Sequence, residues 1–190
     1  MAATVTASTI LETAQRMMQA VGYNGLSFRD IAAAVGIKSA SVHYHFPSKG
    51  ILGAAVMRRY TDGLAAGLAA LDRSGVTPDQ ALAAYVAGMR GTLASDGKLC
   101  LCAMLSAETD GIPPEVRAEV NRFIDINVAW IAGVLARGGG DRPEFVSPHD
   151  HAAALFAALQ GAMLIARGSG DVARFDAMTA QFAQLGLWPR

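Results

Sequence analysis

An all-α protein of about nine helices is encoded here, and three features of the chain say so. Apolar residues recur at three- and four-residue spacing along almost the whole length. Capping and stop residues fall at the ends of those stretches. No alternating strand pattern and no internal repeat interrupts them. Of the 190 residues, 52% are hydrophobic and only 17% charged, which excludes a disordered chain and implies extensive buried surface, a subunit contact included.

The first helix carries Ile10, Ala14, Met17, Met18 and Val21 on one face and stops at Gly22. Ser27 is the N-cap of the second, with Asp30 three residues on in the manner of a capping box, and Gly36 ends it. A short third helix runs from about Ser39 to Phe46 and is closed by Pro47. Ser48 caps the fourth, which reaches about Leu71. Thr77-Pro78-Asp79-Gln80 supplies an N-cap, a proline at the first helical position and a glutamine at the third, opening a helix to about Ser95. A shorter helix spans roughly Leu99 to Glu108. Pro113 and Pro114 open a long one, ended by Gly138-Gly139-Gly140. Ser147-Pro148-His149-Asp150 caps a helix to about Arg167, and Asp171 starts the last, to about Leu185.

Formal net charge is zero, yet the two ends differ. Residues 1–60 hold six Lys or Arg against two acids, the remainder ten against fourteen, so +4 faces −4. Such asymmetry points to an N-terminal part that meets a polyanion. The first fifteen residues have no basic cluster and include Glu12, unlike a signal peptide. The longest apolar run, Ala152 to Ala166, is broken by Gln160 and Gly161 and falls short of the roughly 20 residues a bilayer requires. The expectation is a cytoplasmic protein with no membrane partner. Two cysteines cannot build a disulfide framework, which fits a reducing compartment.

The stretch "GIKSASVHYHFPSK" from Gly36 gathers histidines, tyrosine, serines and lysines in an otherwise aliphatic chain. The second and third helices, separated by a tight turn near glycine, form a helix-turn-helix pattern whose second helix can enter a DNA major groove. Val42 and Phe46, four apart, face the core while Ile37 anchors the turn. Ser39, Ala40, Ser41, His43, Tyr44 and His45 then face outward or sideways. Hydroxyls, imidazoles and a phenol reach phosphate oxygens and base edges, and a small alanine allows approach to a thymine methyl.

At these residues, "GLSFRDIAAAVGIKSASVHYHFPSKGIL", the chain resembles the DNA-binding module of the TetR/AcrR transcriptional regulators over roughly residues 5 to 52. The resemblance implies a DNA-binding domain of residues 1–50 followed by a helical ligand-binding and dimerisation domain of residues 51–190. It implies that Ser27, Tyr44, His45 and Lys49 hold phosphates and that Arg29, Lys38, Ser39, Ala40 and Ser41 face bases or adjacent sugar. Tyrosine is usual in the family where this chain has His43, so that phosphate contact passes to imidazole or is lost. An imidazole there implies DNA affinity that rises mildly below neutral pH.

In the C-terminal two thirds, Ala153, Ala157 and Gly161 recur every four residues and permit close helix approach. Phe175, Met178, Phe182 and Leu185 make a short 3-4-3 seam. Together they suggest a subunit interface, with an intrachain core as the alternative. In the family the last two helices pair with their symmetry mates, so the resemblance implies a homodimer and a pseudo-palindromic operator. Tyr85, Met89, Cys102, Met104, Phe123, Trp130, Phe156 and Met163 are a population able to line an apolar pocket, although plain core accounts for most of them individually. That a pocket for a small effector exists is implied by the resemblance.

Cys100 and Cys102, two apart, cannot bridge each other on a helix. One could be a redox-sensing thiolate aided by Lys98, but inert buried cysteine is the commoner arrangement. His149 and His151, at a helix start, are weak metal candidates, and neither a metal nor a cofactor is expected. An all-α enzyme finds little support. There is no nucleophile elbow, phosphate loop or Glu-x-x-His pair. The expected function is a ligand-responsive repressor of transcription.

Overall fold

The computed structural model describes residues 2–95, 98–108, 111–138, 147–182 and 184–187, the side chains of 2–6 excepted. Among the described residues there are nine helices and no strand: α1 Ala2–Val21, α2 Phe28–Val35, α3 Ser39–His45, α4 Lys49–Arg73, α5 Pro78–Ala94, α6 Leu101–Ser106, α7 Pro114–Gly138, α8 Pro148–Ser169 and α9 Ala173–Phe182. The fold is all-α, as the sequence predicts.

Helix ends follow local chemistry. Ser27 Oγ accepts from Asp30 N at 3.1 Å and donates to the Asp30 carboxylate. Thr77 and Gln80 form the reciprocal box, each side chain accepting from the other's backbone N–H. Ser48 Oγ accepts from Ile51 N in the first turn of α4, and Ser147 Oγ from Asp150 N in that of α8. Gly36 ends α2 in the left-handed region at φ 77°, where a side chain would be strained.

Several boundaries differ from expectation. α1 starts well before Ile10. α3 ends at His45, because Phe46 precedes a proline and is extended at φ −135°. α6 is confined to Leu101–Ser106; Leu99 and Cys100 are buried without being helical. α8 runs two residues past Arg167 to Ser169, and Leu185 lies in the turn after α9. Gly139 and Gly140, expected to help stop α7, lie outside the described residues.

The chain divides into two compact units, the first formed by Met1–Leu64 and Leu101–Phe123, the second by Ala65–Cys100 and Ile124–Arg190. The division expected at residue 50 is one of function rather than of packing. Residue 50 falls in the first turn of α4, which continues unbroken to Arg73.

In the first unit α1 packs on α2 and α6, and α2 on α3. Ile10, Ala14, Met18, Ile31, Val42, Leu52, Met57, Leu101 and Leu105 fill its core. Glu119, 8% exposed, is neutralised by Arg58 at 2.6 Å and by Arg122 at 3.4 Å, and Arg122 also reaches Asp62 at 2.6 Å.

In the second unit α8 packs on α9 and α5 around Leu82, Leu155, Leu159, Met163 and Phe175. By length and composition α8 could cross a bilayer. One of its faces, through Leu155, Phe156, Leu159, Ala162 and Met163, is buried against protein, the arrangement of a core helix. Gly63 and Gly67 in α4 and Gly88 and Gly91 in α5 have open space where a methyl group would go.

Arg90 on α5 grips Asp176 on α9 with two parallel bonds of 2.7 and 2.9 Å. Those bonds hold the Asp176 carboxyl below its ordinary range. A depressed carboxylate contributes stability above its ordinary pKa and loses it as pH falls through the folded value. Acid unfolding of Asp176→Asn is therefore expected to lose pH dependence at the acid end relative to the parent, as followed by circular dichroism.

Candidate nucleic-acid interface

The two helices of the motif are joined by a turn in which Gly36 N and Ile37 N both donate to Ala32 O, at 2.9 and 3.0 Å. Val42 is fully buried and Phe46 8% exposed, so α3 is held by one face. The opposite face is wet: Lys38, Ala40, His43 and Tyr44 are exposed, Tyr44 to 81%, and Ser39, Ser41 and His45 are half-buried. Arg29 on α2 is almost wholly free, its side chain 91% exposed and 3.8 Å from Asp30.

Ring packing orders part of that face. His43 lies against Phe28 with centroids 4.5 Å apart, and Tyr44 meets His45 edge-on at 5.2 Å. Imidazole at position 43 thus rests on an aromatic shelf from α2. Ser27 is more committed, because its hydroxyl both donates to and accepts from Asp30 in capping α2.

Lys49 is also engaged. Its Nζ donates to Asn24 O at 3.1 Å and sits 4.7 Å above the Tyr23 ring. Burial lowers the Lys49 pKa from its ordinary value, opposed by the Glu108 charge, and burial followed by Glu115 raises that of Tyr23. An ammonium has three donors, so one carbonyl contact leaves Lys49 able to take a phosphate as well. Tyr23, Asn24 and Glu108, which place it, carry no local signal in the sequence: Tyr23 N reaches the Glu108 carboxylate across 85 positions.

The eight candidate pocket residues divide between the units. Cys102, Met104 and Phe123 belong to the first, where Phe123 stacks on Tyr60 at 5.4 Å. Tyr85, Met89, Trp130, Phe156 and Met163 belong to the second. There Tyr85 packs on Trp130 at 5.3 Å and its hydroxyl bonds Asn127 Oδ1, while Trp130 Nε1 donates to Asp72. An open groove of about 410 Å³ lies elsewhere in that unit, lined by Ala83, Val86, Ala87, Arg90, Asp176, Thr179 and Ala180, none of them among the eight.

Both thiols are buried and neither is in a disulfide; Cys102 Sγ lies 3.9 Å from Ser106 Oγ and Cys100 Sγ 3.7 Å from Gln160 Nε2. Burial disfavours reaction with solutes. His149 is exposed. His151 is buried and its Nε2 lies 3.2 Å from Leu187 O. Among the described residues no group of three His, Cys, Asp or Glu could hold a metal.

The residues of the expected seam divide by burial. Phe175 is 0% and Phe182 7% exposed within one chain, so both are core, and of that series only Met178 and Leu185 retain access to another surface. On α8, Ala157 is exposed and Ala153 and Gly161 are half-buried. Leu164 and Ile165, outside the expected interface set, are each 54% exposed. Both sit one to two turns beyond Ala157 and Gly161 on the same stripe, a spacing that could have found them.

Residues 10–56 match the family described as bacterial regulatory proteins, tetR family. A TetR-family transcriptional regulator from Agrobacterium tumefaciens is similar in structure at TM-score 0.90 and 32% identity, over 96% of this chain and 97% of that one. A TetR transcriptional regulator from Legionella pneumophila is similar at TM-score 0.85 and 32% identity, over 93% and 95%. The regulator FadR of Bacillus subtilis, solved with stearoyl-CoA, shares the fold at TM-score 0.73 and 16% identity, over 92% and 96%. No curated protein matches the sequence. With a helix-turn-helix of this geometry, and a likeness of that identity over nearly the full length, the chain belongs to the TetR family of transcriptional regulators.

Proposed function

We propose that this chain is a cytoplasmic repressor that binds a pseudo-palindromic DNA operator as a homodimer and is released by a small apolar effector. One observation carries the reading: α3 is pinned by buried Val42 and Phe46 while Ala40, His43 and Tyr44, with Arg29 of α2, project into solvent. Such a face matches the chemistry of phosphate oxygens and base edges. The exposed apolar stripe of α8 through Ala157, Leu164 and Ile165 supports self-association. FadR holding stearoyl-CoA in this fold supports an effector with a large apolar part. An effector acts only through unequal affinity for the DNA-competent and incompetent arrangements.

The test begins with duplexes selected from a random library by the purified protein. Affinity for the selected operator is expected in the nanomolar range, with log K falling steeply against log salt, from about six to ten phosphate contacts per dimer. Lys49→Ala is expected to weaken all duplexes alike and to flatten the slope by about 1 per Lys49. Arg29→Ala and Ser41→Ala are expected to change base preference, by about 1–3 kcal/mol at the affected position. A Lys49→Ala protein with parental affinity and slope would remove the phosphate assignment. Failure to enrich any duplex would remove the operator itself.

A further inference from the structure

The first unit contains a polar junction that the DNA-facing residues do not account for. Gly22 ends α1 at φ 78°, and a Cβ placed on it would collide with Glu108 Oε1, so the carboxylate lies directly on the backbone there. The other oxygen, Oε2, accepts from Tyr23 N at 2.7 Å and from Asn24 N at 3.2 Å. Lys49 Nζ takes the carbonyl of the same Asn24 and covers the ring of the same Tyr23. The α1–α2 turn is thus held by an anion on the N–H groups of both residues and by a cation on the Asn24 carbonyl and the Tyr23 ring.

Each partner stands on a fixed support. Glu108 follows α6, whose Leu101 and Leu105 are fully buried and which packs on α1. Its own N–H bonds Leu105 O, and its carbonyl accepts from Gly111 N. Lys49 opens α4, and Ser27, three residues after Asn24, caps α2. A shift of the turn would move the start of α2, and with it α3 and Lys49 together.

We infer that Glu108 is a positioning residue for operator binding, its carboxylate fixing the α1–α2 turn so that α2, α3 and Lys49 meet the duplex as one set. The inference rests on the operator reading above. Removing a negative charge from a DNA-binding unit tightens binding on electrostatic grounds alone, whereas loss of a positioning carboxylate weakens it, because a smaller fraction of the molecules holds the competent arrangement.

The experiment titrates the selected duplex, over a range of salt, with full-length parent, Glu108→Ala, Glu108→Gln and Lys49→Ala, each checked for folding by circular dichroism. Glu108→Ala is expected to lose about tenfold in affinity, equally for all duplexes and with the salt slope unchanged, since no phosphate contact is removed. Glu108→Gln keeps the shape and one neutral acceptor, and is expected to lose about threefold. It decides the matter if the alanine variant does not fold. Parental or tighter binding by the folded variant, or a changed slope, overturns the inference and leaves the operator reading standing. A parent that binds no duplex overturns both.

Discussion

Aspartate at both Leu164 and Ile165 is expected to leave the chain folded but monomeric, and to cut operator affinity by about 10²- to 10⁴-fold, the gain that tethering two binding modules supplies. Both side chains are half out in solvent in the single chain, 54% exposed each, so neither charge enters a core. Against a second copy across the exposed stripe of α8, each charge would lie desolvated and unpaired. Sedimentation equilibrium at micromolar concentration reads the assembly, and titration of the selected duplex reads the function. A double variant that remains dimeric would place the subunit contact elsewhere. One that is monomeric yet binds at parental affinity would end the two-half-site reading.

Phe175→Ala is expected to lower the unfolding free energy by about 3–5 kcal/mol, the usual cost of emptying an aromatic site in a packed core. Phe175 is fully buried within its own chain, on the face where α9 packs on α8. The loss should therefore be the same at every protein concentration. Denaturant melts at two concentrations a hundredfold apart separate this from an interface role, in which the effect would follow concentration by mass action. Leu185→Ala, at a position 70% exposed in the single chain, is the matched control and should barely move the melt of the monomeric Leu164/Ile165 variant.

Those two substitutions mark where the sequence was readable. The caps at Ser27, Ser48, Thr77 and Ser147 close over three residues, so a local pattern suffices to find them. The helix-turn-helix was legible for the same reason: Gly36, Val42 and Phe46 act within a dozen positions. Periodicity reports that Phe175 and Phe182 are inside, but not inside what, and a seam between chains has the same spacing as a seam within one. The candidate pocket residues fall in both compact units for a similar reason, since an apolar side chain looks alike in either. Leu99 and Cys100 show the converse, buried without helix, where composition offers no means of telling the two apart. The hold of Glu108 on Tyr23 and Asn24 joins residues far apart in the chain, beyond the reach of any short pattern.

Gly63, Gly67, Gly88 and Gly91 sit within α4 and α5 with vacant room around them and no neighbour that needs the missing carbon. Glycine weakens a helix interior by roughly 0.5–1 kcal/mol relative to alanine. The natural chain thus runs below the heat tolerance its own backbone permits, and four single-carbon additions are the simplest engineering route to a hardier version of it.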